Sequence, residues 1–527
     1  MRMTNKIMQN NSLYNINNNK ALQDKLSTQM STQKKITRPS DDPVIAIRSL
    51  RLRSDVSQIK QYYEKNVPDA ESWLKVTADA LNTTTEVIND LLEQCTKGSN
   101  KDLGVEQLDI IVTQLKSLKN EFYATGNVDF AGRYVFTGYR TDSTLTYTED
   151  MIQDFEITEQ INISAVDTIN YTNIDKLKGI SKENYDPANP ATLPISETSI
   201  TNGDIYRIRL SYDRLKDGAS AVPVIKKVTD ATAVPPVTAD LFPASTTVMT
   251  MSSTAVPSPY DYIQANAGID VAVLVPETGE LLLSKNLYDQ IKNEGVDTEI
   301  RVTYEKDSWK EGDLRPQHYF ACTDKTKGIN YNFSKDETAT PPEYISCEGE
   351  SQIIQYDVGY NQKIRINTTA DEVFTMDVDR NIDDMEKALS ALKEIAKSKT
   401  NLDNMLKDMS AGPEYDKVKA SAEAAGKAYT YIRENMQKMF EGLITKMQGT
   451  LDHTSVAITD NGTRGSRLDL VSNRLMTQKT TFQTLQSANE DVDITEVTIQ
   501  LTSMNNSYQS ALLATSKIMQ NSLMNYI

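Results

Sequence analysis

Two hydrophobic rhythms divide this sequence, and together they restrict the folds open to it. Near both ends apolar residues recur every three or four positions, the period of a helix face; in the middle they alternate, the period of a strand. Toward the C-terminal end Val497, Leu501, Met504, Tyr508, Ala511, Thr515 and Ile518 follow a 4-3-4-3 spacing. Upstream, Leu468, Val471, Leu475, Gln478, Phe482 and Leu485 make a second seam. The two seams are out of phase across "NEDVDITE", so a fixed-register coiled coil must shift or break there. At the other end Leu13, Ile16, Leu22, Leu26 and Met30 form a thinner stripe. Asn17, Asn18 and Asn19 interrupt it, each costing about 0.6 kcal/mol of helix propensity against Ala. That segment is expected to be a poor helix alone and to order on a partner surface.

Stronger stripes lie between these ends. Leu74, Leu81, Ile88 and Cys95 recur every seven residues, and Leu108, Ile111, Leu115, Leu118 and Phe122 alternate by three and four. Met385, Leu389, Leu392 and Ala396 repeat the pattern late in the chain, as do Ile432, Met436, Met439 and Leu443. These are core stripes of a helical bundle whose members come from opposite ends of the chain. What separates them reads as strand. In "IYRIRLSY" Tyr206, Ile208, Leu210 and Tyr212 share a face, and "EIRVTYEK" alternates at Ile300, Val302 and Tyr304. "VAVLVPETGELLLS" and "IIQYDVGYNQKIRIN" read as hairpins. The expected fold class is α + β multidomain: a helical coiled-coil bundle built from both chain ends, with a β-rich central insertion. The expected parts are 1–38 with 490–527 as terminal helices, 39–140 with 380–489 as bundle, and 141–379 as one or two β-rich subdomains.

The terminal helices are bounded by "RPSDDP" and "NEDVD". A residue before proline avoids the helical region, and proline is accommodated at the first helical position. Asp42 therefore reads as an N-cap and Pro43 as the first turn of a new helix, with Pro39 ending the one before. Pro39, Ser40, Asp41, Asp42 and Pro43 together read as a hinge between terminal helix and bundle. A paired-carboxylate site at Asp41 and Asp42 is disfavoured, because no His, Lys or third acid stands nearby to tune it.

Composition narrows the function. The 527 residues carry a net charge of −17, unevenly placed. Residues 1–60 hold eleven basic and four acidic side chains, residues 464–527 five of each, and the middle 40 basic against 64 acidic. An acidic body argues against nucleic acid as a partner. Three cysteines, Cys95, Cys322 and Cys347, offer no paired spacing for disulfides or zinc and read as free thiols. With two histidines, His318 and His453, and no phosphate-loop or nucleophile-elbow pattern, neither catalysis nor a cofactor is expected. "DVDRNIDD" invites calcium, but a calcium loop counted from Asp377 would need Gly and Glu where Ile382 and Ala388 stand. Asp383 reads instead as a cap before a helix beginning near Met385. The first residues lack the apolar core of a secretory signal, and no apolar run is long enough for a membrane span.

Long motifs at both ends carry a resemblance. "KKITRPSDDPVIAIRSLRLRSDVSQIKQYYEKN" with "VDFAGRYVFTGYRTD", and "RGSRLDLVSNRL" with "NEDVDITEVTIQLTSMNNSYQSALLATSKIMQNSLMNYI", resemble the hook-associated protein 3 family. These are the hook–filament junction proteins of the bacterial flagellum, within the flagellin-like superfamily. The departures are "STQKKI", where the family commonly has Gly before the basic pair, and the long insertion. The resemblance implies a flagellin-like fold and a structural role between hook and filament. The implied partners are neighbouring copies of the chain, hook-associated protein 1, flagellin, and a chaperone that escorts the C-terminal helices to type III export. Location would be extracellular, on the flagellum, reached without a cleaved signal. The terminal stripes Leu13, Ile16, Leu22, Leu26, Met30, Val497, Leu501, Met504, Tyr508, Ala511 and Ile518 would be the assembly residues. Flagellin itself, or a binding or adhesive module in the insertion, are the other readings.

Overall fold

A computed structural model describes residues 5–186, 195–217, 222–230, 237–294, 298–331 and 352–520. Cys347 and the final "SLMNYI" lie outside them, and the side chain of Ile518 is likewise not described. Two compact units form. One comprises residues 1–71, 356–364 and 465–527; the other comprises 72–355 and 365–464.

In the first unit α1 (Asn5–Thr32) pairs antiparallel with α9 (Ile494–Gln520), and α2 (Pro43–Gln61) lies on the last turns of α8 (Pro413–Glu490). Through one π-helical turn at Tyr62–Asn66, α2 passes into α3 (Val67–Gly98). The α9 seam faces its partner at the spacing read from the sequence: Val497 and Thr515 are buried, with Leu501, Met504, Tyr508 and Ala511 half-buried. The α1 side is more polar. Its inward face runs through Gln9, Ser12, Ile16, Asn19, Gln23 and Leu26, while Leu13, Leu22 and Met30 are exposed. The inward positions alternate by three and four, so the pair has a heptad-like seam on the α1 side, but a mostly polar one. Gln23 Nε2 donates to Asn505 Oδ1 across the pair at 2.6 Å.

In the second unit α3 and α4 (Val105–Ala124) pack with α7 (Asp377–Asp408) and the first half of α8. Leu74, Leu81, Ile88, Leu115, Phe122, Met385, Leu392 and Met436 are all buried, as their spacing predicts. A short hairpin, β1 (Asp129–Phe130) with β2 (Arg133–Tyr134), follows α4. Then come two sheets. One has the order β13-β12-β3-β11-β6-β7 and the other β4-β5-β10-β9-β8. The first is built on β3 (Met151–Asn162), β6 (Val224–Asp230), β7 (Val237–Asp240), β11 (Glu299–Trp309), β12 (Ala321–Asp324) and β13 (Ile329–Tyr331). The second uses β4 (Val166–Thr172), β5 (Asn202–Arg209), β8 (Thr247–Thr250), β9 (Val271–Val275) and β10 (Glu280–Leu283). Two short helices, α5 (Pro259–Ala265) and α6 (Lys285–Lys292), lie between these strands, and the hairpin β14 (Gln355–Gly359) and β15 (Gln362–Arg365) precedes α7.

Phe155, Ile157, Ile300, Val302 and Tyr304 from the first sheet share one core with Ile208, Leu274, Leu281 and Leu283 from the second. The sheets are therefore a face-to-face sandwich whose strands alternate in and out. The turn joining β9 and β10 requires Gly279, at φ +62°, because a Cβ there would run into the Tyr212 carbonyl oxygen.

Ions, rather than apolar contact alone, seat the sandwich on the helices. Arg207, nearly fully buried, donates to Glu280 on its own sheet and to Asp384 on α7 at 2.6 Å, while Arg209 donates to the same Asp384 at 3.0 Å. Arg380 donates to the carbonyl oxygens of Leu210 and Thr278. These contacts correct the reading of "DVDRNIDD". The helix starts at Asp377, not near Met385, and Asp383 sits in its second turn rather than capping it. Asp377 and Asp379 supply the first-turn negative charge a helix N-terminus favours. Burial acts to raise the Asp384 carboxyl, but Arg207 and Arg209 outweigh it and hold it low. Replacing Asp384 with Asn removes the carboxylate that two buried guanidinium groups share, leaving Arg207 to Glu280 and Asp167 and Arg209 to Asp377, an expected loss of about 2 kcal/mol in urea-unfolding stability at neutral pH. Because the folded carboxyl is held low, that loss shrinks as pH falls toward and below the ordinary aspartate range.

Candidate functional site: the joint between the two chain ends

Both helix breaks meet at one place. α1 stops at Thr32, and Gln33 takes the left-handed conformation, φ +58°. The stop is thus seven residues before Pro39, a correction to the sequence reading. Its physical cause is that residues 33–35 leave the helix to pair with the other end of the chain. Lys34 and Asp491 form an antiparallel bridge, with Lys35 N donating to Glu490 O at 2.7 Å and Val492 N to Gln33 O at 3.1 Å.

Restart signals flank this bridge on both sides. Asp42 is extended, φ −153°, and its Oδ1 accepts from the amides of Val44 at 2.9 Å and Ile45 at 3.1 Å, with Pro43 in the first turn. This is the cap read from the sequence, satisfying amides that a helix start leaves without partners. Asp493 does the same for α9, its Oδ1 accepting from Thr495 and Glu496. Asp41 folds back on the turn instead, where the amides of Arg38 and Thr37 hold its carboxyl below the usual range. Pro39 and Ser40 lie in the exposed turn itself.

A four-charge cluster locks the bridge. Glu490 is only 4% exposed and receives a two-pronged bond from Arg53, Nε to Oε1 at 2.7 Å and Nη2 to Oε2 at 2.8 Å. Lys34 Nζ lies 2.5 Å from Asp491 Oδ1 and 3.5 Å from Glu490 Oε2. Asn489 ties α8 to α2 through the Ile45 carbonyl and the Ser49 hydroxyl. The Arg53 hydrogen bond holds the Glu490 carboxyl low, against burial, and Lys34 does the same for Asp491. Lys34, Arg53, Glu490 and Asp491 were not singled out in the sequence. Their partners lie 437 and 457 residues away, so no helical spacing betrays them.

Nothing at the joint resembles a catalytic centre. Elsewhere, burial pushes the His318 imidazole down to about 3 and the Cys95 and Cys322 thiols up to about 12. Among the described residues no group of three or more His, Cys, Asp or Glu could hold a metal ion, and no helix is long and apolar enough to cross a membrane.

The joint predicts its own acid response. Folded-state carboxyls held low add stability above their unfolded values and lose it as pH falls through the folded ones. Glu490→Gln is expected to cost about 2 kcal/mol in urea unfolding at neutral pH. As pH falls below the ordinary glutamate range the gap between wild type and variant should close, and a gap independent of pH would exclude the ion pairs as its source.

Known proteins agree with the sequence at this end of the chain. Residues 3–141 match the model of the bacterial flagellin N-terminal helical region. Flagellar hook-associated protein 3 of Salmonella typhimurium is 29% identical over 144 residues, and that of Escherichia coli 28% over 144. In each case the match covers 27% of this chain and spans 45% of the relative's length. The crystal structure of Xanthomonas campestris FlgL aligns over 83% of this chain and 99% of its own at 10% identity, with a TM-score of 0.26, a likeness too loose to build on. Over residues 3–141 this chain is similar to the bacterial flagellin N-terminal helical region, and over 144 residues to flagellar hook-associated protein 3.

Proposed function

We propose that this protein is a structural subunit of the bacterial flagellum, forming the junction between hook and filament. One observation supports it most. Of the 27 large hydrophobic side chains exposed among the described residues, 17 belong to the first unit, which holds 143 of the 527 residues. Leu13, Tyr14 and Leu22 on α1 and Ile499, Leu512 and Leu513 on α9 stand outside their own helix pair. Apolar surface concentrated in one unit supports a protein–protein contact there. At about 1.5 Å per residue, α1 is about 42 Å long, enough to line a shared axial tube with copies of itself.

The terminal stripes then divide their work. Ile16, Leu26, Val497, Leu501, Met504, Tyr508 and Ala511 hold the pair together, while Leu13, Leu22 and Met30 meet neighbouring copies. The joint at Pro39–Pro43 and Asp491–Asp493 sets the angle between this pair and the α2–α8 contact beside it. Hook-associated protein 1 on one side and flagellin on the other are the remaining partners, and delivery is by flagellar type III export with a chaperone.

Cells lacking this chain are expected to build hooks without filaments and to release flagellin into the medium. Filaments of ordinary length in its absence would overturn the junction role. Long homopolymeric filaments from the purified protein would favour a filament subunit instead. Leu13→Ser with Leu22→Ser should abolish self-association in sedimentation while leaving thermal unfolding of the monomer unchanged.

A further inference from the structure

A second surface on the first unit has a different chemistry from the α1–α9 pair. Helix α2 buries Ala46, Ser49, Val56 and Ile59. On another face Val44, Ile47, Arg48 and Arg51 fall at i, i+3, i+4 and i+7, one ridge of the helix. Val44 and Ile47 are 60% and 55% exposed, and Leu50 beside them 66%. Arg48 and Arg51 are exposed and form no ion pair or hydrogen bond among the described residues, unlike Arg53 two residues beyond Arg51, which is committed to Glu490.

Charge says what such a ridge fits. The first unit carries 17 basic against 13 acidic residues, and the second 39 against 60. The second unit exposes large apolar side chains sparingly, and on its part of α8 there is one, Val456, 68% exposed. Asp452 and Asp460 flank it four residues to either side, both exposed. Asp452 has no partner among the described residues, and Asp460 gives one oxygen to Arg464. An apolar residue between two acids thus faces outward on one ridge, the complement of apolar residues beside two arginines on another.

We propose that the Val44–Ile47–Arg48–Arg51 ridge of α2 docks on the Asp452–Val456–Asp460 ridge of α8 in a second copy of this chain. The proposal rests on the reading that copies of the chain associate. It adds a lateral contact, electrostatic in its specificity, that is separate from the apolar faces of the terminal pair. Surface charge pairs are screened over about 10 Å at 0.1 M salt and about 3 Å at 1 M, so this contact weakens as salt rises while apolar contacts do not.

The test is sedimentation of the full-length chain at low and high salt. R48E/R51E is expected to weaken self-association at least about tenfold at low salt, with little change at high salt. Adding D452K to R48E/R51E should restore it. Undiminished association of R48E/R51E overturns the proposal, and loss without rescue by D452K overturns α8 as the partner ridge. Thermal unfolding checks that each variant folds; should R48E/R51E fail to, R48Q/R51Q reads the same contact without charge reversal. A wild-type chain that does not self-associate at any salt counts against the assembly reading itself, not against this contact alone.

Discussion

The architecture of the first unit depends on one nearly buried carboxylate. Glu490 ends a 78-residue helix, and a charge removed from water there is costly unless paired and fully hydrogen-bonded. Arg53 supplies the matching two-pronged donor and Lys34 a second cation. Those two residues belong to α2 and to the segment after α1, so satisfying a single carboxylate fixes three parts of the chain at once. The backbone bridge at Lys34 and Asp491 gives the same result by a second route, since its amides and carbonyls would otherwise lack partners where both helices stop. The Asp42 and Asp493 caps then make each restart abrupt. A stop, a bridge and two capped restarts produce a joint with a defined angle rather than a loose linker.

What the sequence made legible follows from how locally each feature is encoded. Helix stripes such as Leu74–Leu81–Ile88–Cys95 and strand alternation such as Ile300–Val302–Tyr304 depend on period alone, and all of these residues are buried. The Asp42 cap was visible because capping is a contact over two or three residues. The end of α1 was not visible, because a strand-like pairing with residues 490–492 ends it, and no local signal at Gln33 announces that. Asp383 was misread for a similar reason. Its helix begins earlier because α7 must bring Asp384 to Arg207 and Arg209 on the sandwich, a tertiary demand. The Glu490 cluster was hidden for the same cause, sequence distance.

The α1 stripe shows what spacing leaves open: it marks apolar residues for burial without saying against what surface. Here the inward positions include Gln9, Ser12, Asn19 and Gln23, and several large apolar residues face out. A polar seam fixes register at a cost in stability, as the Gln23–Asn505 bond illustrates. The pair is therefore specified but weakly held within one chain.

A polar seam with apolar residues outside it is what the proposed assembly would call for. Apolar area contributes roughly 25 cal/mol per Å² wherever it is buried, within a chain or between chains. A terminal pair that spent its leucines on its own seam would be a stable hairpin with little left to drive association. One that spends amides on the seam leaves Leu13, Leu22, Ile499, Leu512 and Leu513 exposed, and under the proposed function that area would be buried only between copies. The acidic second unit, with 39 basic and 60 acidic residues, opposes indiscriminate collapse of copies onto one another. Apolar surface concentrated in the terminal unit and like charge spread over the other unit are the distribution that the proposed assembly through the chain ends would need.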